Sequence, residues 1–394
     1  MARVLLLLPT ATYRATDFVA AAARLGVEVV VGSEEPQALA AGMGDRAVVV
    51  ALDNPDSGAA AVVALHKRTP IDAVIAVDEQ GVMVAAETAA RLGFAHNPPA
   101  AVAATRDKAV MRRLFAAAGI PQPRFAVTND PDCVPDVGFP CVLKPVSLSA
   151  SRGVIRADNP AAALSAARRV RAIVDGPILV EEYVPGTEVA LEGLLRNGTL
   201  EVLALFDKPD PLVGPYFEET IYVTPSRLPE DDQARVRDLT AHAAVAVGLV
   251  EGPVHAEIRL DGARAWVIEL AARSIGGLCG RALRFGAGIS LEEIVVRHAL
   301  GRPLDGLTRE AAASGVMMLP IPRAGTLEHV DGQDAARAVP GITGLEITVA
   351  PGRRLQPLPE GDRYLGFLFA RADTPAQVET ALRAAHAQLH VVLA

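Results

Sequence analysis

The chain of 394 residues has only three cysteines, Cys133, Cys141 and Cys279. They form no CxxC pair, which removes a zinc-type spacing and an even disulfide framework, and a reduced cytoplasmic setting is the simplest expectation. Positive charge is not in excess. Lys and Arg number 38 against 46 Asp and Glu, a net charge of −8. That argues against a general nucleic-acid binder, while a few local cations can still hold a small anion. No stretch reaches the roughly 18–20 apolar residues of a membrane span. The apolar start Val4–Leu8 breaks at Pro9-Thr10. It is too short for a signal-peptide core and reads as a buried strand. No GxGxxG follows it: the sequence there is Leu8-Pro9-Thr10-Ala11-Thr12, so a nicotinamide or flavin Rossmann reading loses its main support. Internal repeats are absent.

Hydrophobic residues make up 51% of the chain, enough for a large core, and the length suits more than one domain. In the first hundred residues short apolar strands alternate with helices. The strands are Val4–Leu8, Val27–Val31, Ala47–Val50 and Ala73–Val77; the helices are Ala15–Leu25, Ala59–Lys67 and Val82–Leu92. This pattern predicts a doubly wound parallel sheet covered on both faces. Asn97-Pro98-Pro99 is a natural stop. Beyond it a helix, Asp107–Ala118, leads into short strands around the helix Pro160–Val174. A long helix over Asp231–Val247 precedes two strands, His255–Leu260 and Ala265–Ala271, joined at Asp261-Gly262. The expected class is α/β and α+β. The expected units are residues 1–105, 106–190, 191–310 and 311–394.

Four features carry chemistry. Arg106-Asp107-Lys108 opens a helix, where a lysine is ordinarily solvated. Phe139-Pro140-Cys141-Val142-Leu143-Lys144 is an apolar strand ending in lysine, and such a lysine must leave the core or meet an anion. The loop Ser147–Gly153 after it is small and hydroxylated, suited either to wrapping phosphate oxygens or to plain exposure. Ile178–Glu188 is an apolar strand, a short linker and an acid; the linker backbone can pair with an adenine edge and the acid with ribose, or the segment is an edge strand with solvated glutamates. Finally, Glu257 and Glu269 lie on adjacent strands and can approach across the hairpin. Two carboxylates there need a cation between them, and hard oxygen donors without thiolate suit Mg²⁺. Pairing with Arg259 or Arg273, or a zinc site using His255, are the other readings.

In order, Lys108, Lys144 with its Ser/Gly loop, the Glu181–Val184 hinge, Glu188, Glu257 and Glu269-Leu-Ala-Ala-Arg273 resemble the ATP-grasp superfamily over nearly the whole chain. The resemblance implies an N-terminal doubly wound parallel-sheet domain, a small ATP-grasp lobe with its linking helix, a larger lobe with the metal site and a C-terminal α+β subdomain packed on it. It also implies ATP-dependent carboxylate–amine ligation through an acyl-phosphate, with ADP released. Lys108 and Lys144 would then contact phosphates, with Ser149, Ser151 and Gly153 in a flap over them. Glu181 and the backbone of Glu182 and Val184 would hold adenine, and Glu188 the ribose. Glu257 and Glu269 would bind Mg²⁺, for which Mn²⁺ can substitute. Arg273 would steady the transferred phosphoryl group. Where many relatives have Asn, this chain has Ala271. The Glu-x-Ala-Ala-Arg form looks like bacterial L-amino-acid (dipeptide) ligases, as do Phe206-Asp207-Lys208 and Phe217-Glu218-Glu219-Thr220. By that match Glu219 supplies the missing carboxylate. The Gly276-Gly277 backbone is a candidate for the oxyanion. Tyr222 and His255 are candidate bases, more simply read as structural. The expected partners are a small carboxylic acid and an amine, amino acids in the first place. Neither nucleic acid nor membrane is expected, and a homodimer is allowed. A bicarbonate-activating carboxylase and a non-catalytic nucleotide-binding protein are the alternatives.

Overall fold

The computed structural model describes residues 1–36, 44–304 and 308–394. The N-terminal sheet has strands β1 Arg3–Leu7, β2 Glu28–Ser33, β3 Ala47–Val49 and β4 Ala73–Ala76, all parallel in the order β3-β2-β1-β4. From Val4 to Leu7 strand β1 is apolar and buried because both its faces are covered. Val4 and Leu6 pack with Phe18 and Ala22, whereas Leu5 and Leu7 pack with Val62 and Leu65. The covering helices are α1 Ala15–Arg24, α2 Pro55–His66 and α3 Val82–Leu92.

Two more helices lead out of this domain, α4 Pro99–Arg106 and α5 Lys108–Ala118. Asp107 breaks the line between them with an extended backbone and caps α5, its carboxylate accepting from the Ala109 and Val110 N–H groups. Such a cap stabilises a helix by about 1 kcal/mol. Gly119 ends α5 at φ 68°, in the left-handed region where glycine has no Cβ penalty.

The small lobe is a four-stranded antiparallel sheet, order β5-β8-β6-β7, built from β5 Phe125–Thr128, β6 Cys141–Pro145, β7 Ile155–Ala157 and β8 Ile178–Glu182, with α6 Pro160–Ile173 packed on it. The large lobe is an eight-stranded antiparallel sheet. It contains β9 Thr187–Arg196, β10 Thr199–Asp207, β11 Ile221–Thr224, β12 Gly252–Asp261, β13 Arg264–Ala271 and β14 Ala313–Leu319. Strands β15 Gly325–Asp331, β17 Arg354–Leu355 and β19 His390–Leu393 form a separate small sheet, while β16 Ile342–Ile347 and β18 Gly366–Ala372 complete the large one in the order β13-β12-β9-β10-β11-β14-β18-β16. Helix α7, Glu230–Val247, packs Val236, Ala243 and Val247 on one face of this sheet, against Leu191, Val254 and Val267. Helix α8, Leu291–Ala299, carries Val295 and Val296 into the core of the N-terminal sheet and so ties the two domains together. The short α9 Gln333–Arg337 and α10 Pro375–His386 cover the C-terminal strands. Strands β14, β16 and β18 make the C-terminal residues part of the large-lobe sheet itself.

Candidate active site

A cleft of roughly 630 Å³ lies between the small lobe and the large sheet, lined by Lys108, Lys144, Ser151, Glu181, Glu182, Val184, Glu188, Glu219, Glu257 and Glu269, among others. Helix α5 delivers Lys108 from its first turn. The side chain is buried, donates to Leu148 O at 2.7 Å and lies 3.4 Å from Glu269. It is therefore not a solvated surface lysine. Lys144 on β6 is also buried, 2.6 Å from Glu181 on the neighbouring strand β8. Burial pushes the Lys144 ammonium below its ordinary value and the Glu181 charge works against that.

Glu181 is held from its other side by Arg112 Nε at 2.5 Å, and Arg112 in turn donates to the carbonyls of Val267 and Ile268 at 2.9 and 2.7 Å. Burial would raise the Glu181 carboxyl, but Arg112 and Lys144 outweigh it and hold it below its usual range. The carboxylate expected to face adenine is thus enclosed by two cations. In the hinge, the Glu182 N–H donates to Arg124 O at 2.9 Å and Val184 O accepts from Arg259 at 2.7 Å. The flap carries Ala150 and Ser151 at φ 56° and 54°, a backbone region costly for residues other than glycine and found mostly at functional loops. Its Gly153 N–H donates to Pro359 O at 2.8 Å, and Arg152 Nε to Glu360 O at 3.1 Å. Ser149 accepts from the Arg152 N–H through its carbonyl at 3.3 Å.

Four carboxylates gather on the large-lobe side. Glu188, Glu219 and Glu257 bring one oxygen each to within 4.8 Å of one another. The buried ammonium of Lys208 lies among them, 2.7 Å from Glu188 and 3.3 Å from Glu257, and bonded to Glu219. Glu188 also accepts from Arg259 Nε at 2.7 Å. Glu269 pairs in register with Glu257 across the β12–β13 hairpin, where a bulge skips Ile268. Its cation in this structure is Lys108, so it stands at the edge of the cluster. Burial would lower Lys208, yet the three carboxylates hold it well above its ordinary value. Burial, together with the charge of Glu257, pushes Glu219 up to about 7 despite Lys208. Burial would likewise raise Glu257, but Lys208 and His255 keep it well below the usual carboxylate range. Tyr222 donates to Glu219 at 2.6 Å, and burial pushes its phenol well above its ordinary value, which removes it as a neutral-pH base.

Beyond Glu269 the chain leaves β13 into the segment Arg273–Gly277. Arg273 Nε donates to Glu79 at 2.7 Å, and its Nη1 to Ser274 O at 3.0 Å. A Cβ on Gly276 would meet only Arg273 Nη1 at 3.9 Å, so this position faces open space. Gly277 differs: φ is 62°, and a Cβ would meet the Phe367 ring at 2.9 Å. Of the two glycines named as oxyanion candidates, Gly276 borders open space, whereas Gly277 seats the turn against an aromatic ring. Sequence reasoning gave no role to Arg112, Lys208, Glu79 or Glu192. Lys208 stands in the quoted Phe206-Asp207-Lys208 run, but the partners of all four come from distant elements.

Family models match three parts of the chain. Residues 137–282 match the ATP-grasp domain, residues 19–96 the ATP-grasp N-terminal domain, and residues 317–394 the L-amino acid ligase C-terminal domain 2. The chain belongs to the ATP-grasp superfamily. Within it, the C-terminal match points toward the L-amino acid ligases. An uncharacterized protein of Sinorhizobium fredii is 27% identical over 71% of this chain and 59% of its own length. The alanine–anticapsin ligase of Bacillus subtilis is 28% identical over 52% of this chain and 49% of its own. The chain thus spans about half to three fifths of these two relatives. The crystal structure of the L-amino acid ligase from Bacillus licheniformis superposes with a TM-score of 0.85, covering 100% of this chain and 99% of that one at 24% identity, a likeness of fold. Among the described residues no helix is long and apolar enough to cross a membrane.

Proposed function

We propose that the protein is a cytoplasmic ATP-dependent ligase that joins a carboxylic acid to an amine, at least one of them an amino acid, through an acyl-phosphate. The observation that carries this reading is convergence. Two buried lysines and six glutamates from both lobes line one cleft, and the strand bearing Glu269 runs directly into Arg273 and two glycines. Lys108 and Lys144 would hold phosphate oxygens through charge-assisted hydrogen bonds. Hinge and flap would enclose the nucleotide, and Glu188 would face its ribose. The three gathered carboxylates offer hard oxygen donors, and the ammonium of Lys208 among them already marks the place as one for a cation, so the donor set fits Mg²⁺ or Mn²⁺. Glu219, Glu257 and Glu269 would hold the ion, which when bound neutralises phosphate charge.

In the first step an oxygen of the substrate carboxylate attacks the γ-phosphorus. The bond to the β–γ bridging oxygen breaks, and ADP leaves. Arg273 would steady the transferred group, as positioned cations do in phosphoryl transfer. In the second step the amine attacks the acyl carbon. The C–O bond to phosphate breaks, phosphate leaves and the nitrogen loses a proton. The Gly276 backbone, beside open space, would stabilise the oxyanion. The test is ADP release by the purified protein with paired amino acids, with mass spectrometry of the product. ADP formation should depend on an organic acid and rise with an amine, giving a product lighter than its two substrates by one water. Formation of AMP and pyrophosphate, or ADP release with bicarbonate alone, would refute the reading.

A further inference from the structure

The segment Arg273–Gly277 is pinned by groups from several elements. Glu79 holds Arg273, Arg14 donates to Ser274 Oγ at 2.9 Å, and Phe367 backs Gly277. The Ile275 N–H donates to Glu192 Oε2 at 2.9 Å. Glu192 stands apart from the other anchors. Its side chain is 0% exposed, and among the described residues its Oε1 has no hydrogen-bond partner. A buried carboxylate with one oxygen unsatisfied is costly, and its presence calls for a reason. The neighbouring strand supplies one. Glu192 on β9 pairs in register with His255 on β12. The His255 ring lies with Nδ1 3.3 Å from Glu192 Oε2 and Nε2 3.7 Å from Glu257 Oε1. A continuous buried path therefore runs from the carboxylate cluster through one imidazole and one carboxylate to the Ile275 backbone.

We infer that Glu192 is a positioning residue which, through His255, couples Glu257 in the carboxylate cluster to the Arg273–Gly277 segment. A shift of Glu257 toward a bound cation moves the ring, and the ring moves the carboxylate that anchors Ile275. The task of that segment rests on the ligase reading above; the coupling does not. Two measurements separate them. In hydrogen-exchange mass spectrometry, Mg²⁺ with ADP slows exchange in the peptide spanning 273–277 of the wild type by at least about fivefold, the lower range of such couplings. In Glu192→Leu that protection is lost, although ADP affinity by calorimetry stays within about twofold, as expected for a distant site. His255→Gln, which leaves the Glu192–Ile275 bond in place, loses the protection too and serves if Glu192→Leu does not fold. In turnover assays Glu192→Leu lowers kcat about tenfold or more, as loss of an orienting outer partner does, with KM for ATP unchanged. Glu192→Gln, which keeps an oxygen for the Ile275 N–H, restores most of kcat. Equal protection in wild type and both variants, or none in the wild type, overturns the coupling. If instead the wild type consumes no ATP with any acid and amine, the ligase reading falls, and the exchange result still decides the coupling.

Discussion

Lys144 Nζ stands 2.6 Å from a Glu181 oxygen, with both side chains buried. The pair places a positive charge in the cleft between the lobes and braces it with a carboxylate that Arg112 also holds. Lys144→Ala removes the brace and, on the proposed ligase reading, one phosphate contact. The apparent KM for ATP should rise at least about tenfold, the loss of a charge-assisted contact of roughly 1.5–3 kcal/mol. The melting temperature should fall as well, because Glu181 keeps only Arg112. Unchanged nucleotide binding by calorimetry would remove Lys144 from the phosphate site.

Glu269→Gln should abolish turnover while ATP still binds weakly. An amide keeps the shape and the hydrogen-bonding capacity but not the charge that a phosphate-bridging cation needs. Lys108, 3.4 Å away, also loses its counter-charge. Near-normal turnover at saturating Mg²⁺ would exclude Glu269 from the metal site. Glu257→Gln and Glu219→Gln should behave alike.

Lys208→Met leaves three gathered carboxylates without their internal cation. Breaking a buried charge cluster in this way costs about 3–5 kcal/mol. The variant should melt well below the wild type in the presence of a chelator, and added MgCl₂ should recover more of the loss than it adds to the wild type. Equal melting curves for the two proteins without metal would show that the ammonium is not what holds Glu188, Glu219 and Glu257 together.

The two glycines of the Arg273 segment should part company on substitution. Gly276→Ala meets no more than Arg273 Nη1 at ordinary contact distance, 3.9 Å, and should fold normally while narrowing the range of accepted substrates. Gly277→Ala must force φ 62° on alanine and press on Phe367, at a cost of about 1–3 kcal/mol. Chemical denaturation separates the outcomes; equal stabilities would contradict the packing described.

Burial holds His96 below its ordinary value, and the same cause lowers His298 in spite of Glu251. The unfolded chain therefore binds more protons than the folded one as pH drops through the ordinary histidine range near 6.5. Stability contributed by the neutral rings is present above that range and lost below it. Between about pH 7 and 5 these two rings pull the melting temperature down, against the opposite pull of Glu219, whose carboxyl, pushed up to about 7, takes up a proton in the folded chain there; His96→Asn should remove part of the downward pull. A slope unchanged by the substitution would assign the acid sensitivity elsewhere.

How far the sequence speaks depends on whether a signal is local. The run Val4–Leu8 reads as a strand, and Arg3–Leu7 forms one, because a strand buried on both faces is apolar residue by residue. Helix Val82–Leu92 falls on its predicted bounds, with Gly93 closing it in the left-handed region. Strand Thr199–Asp207 goes unread, since its polar start hides the pattern. The available signal was the turn Asn197-Gly198, whose φ values of 51° and 79° suit a two-residue hairpin. In the site, residues that end strands or open helices, such as Lys144, Lys108 and Glu269, stand out against apolar neighbours. Arg112 does not. It sits beside Arg113 on a helix and looks solvated, yet it is 0% exposed because Glu181 and two carbonyls of β13 close over it. Nothing local distinguishes the two arginines.

The loop Ser149–Gly153 beside the cleft is tied to the far end of the chain. Gly153 and Arg152 bond the backbone at Pro359 and Glu360, and the Glu360 carboxylate accepts from Arg169 on α6 at 2.6 and 3.0 Å. The same C-terminal stretch supplies β14, β16 and β18 to the large sheet. A region recognisable as a unit by its sequence is therefore not interchangeable as a unit. Grafting residues 317–394 from a relative would exchange the partners of Gly153, Arg152 and Arg169 along with the strands, so a chimaera would have to rebuild the contacts that hold this loop.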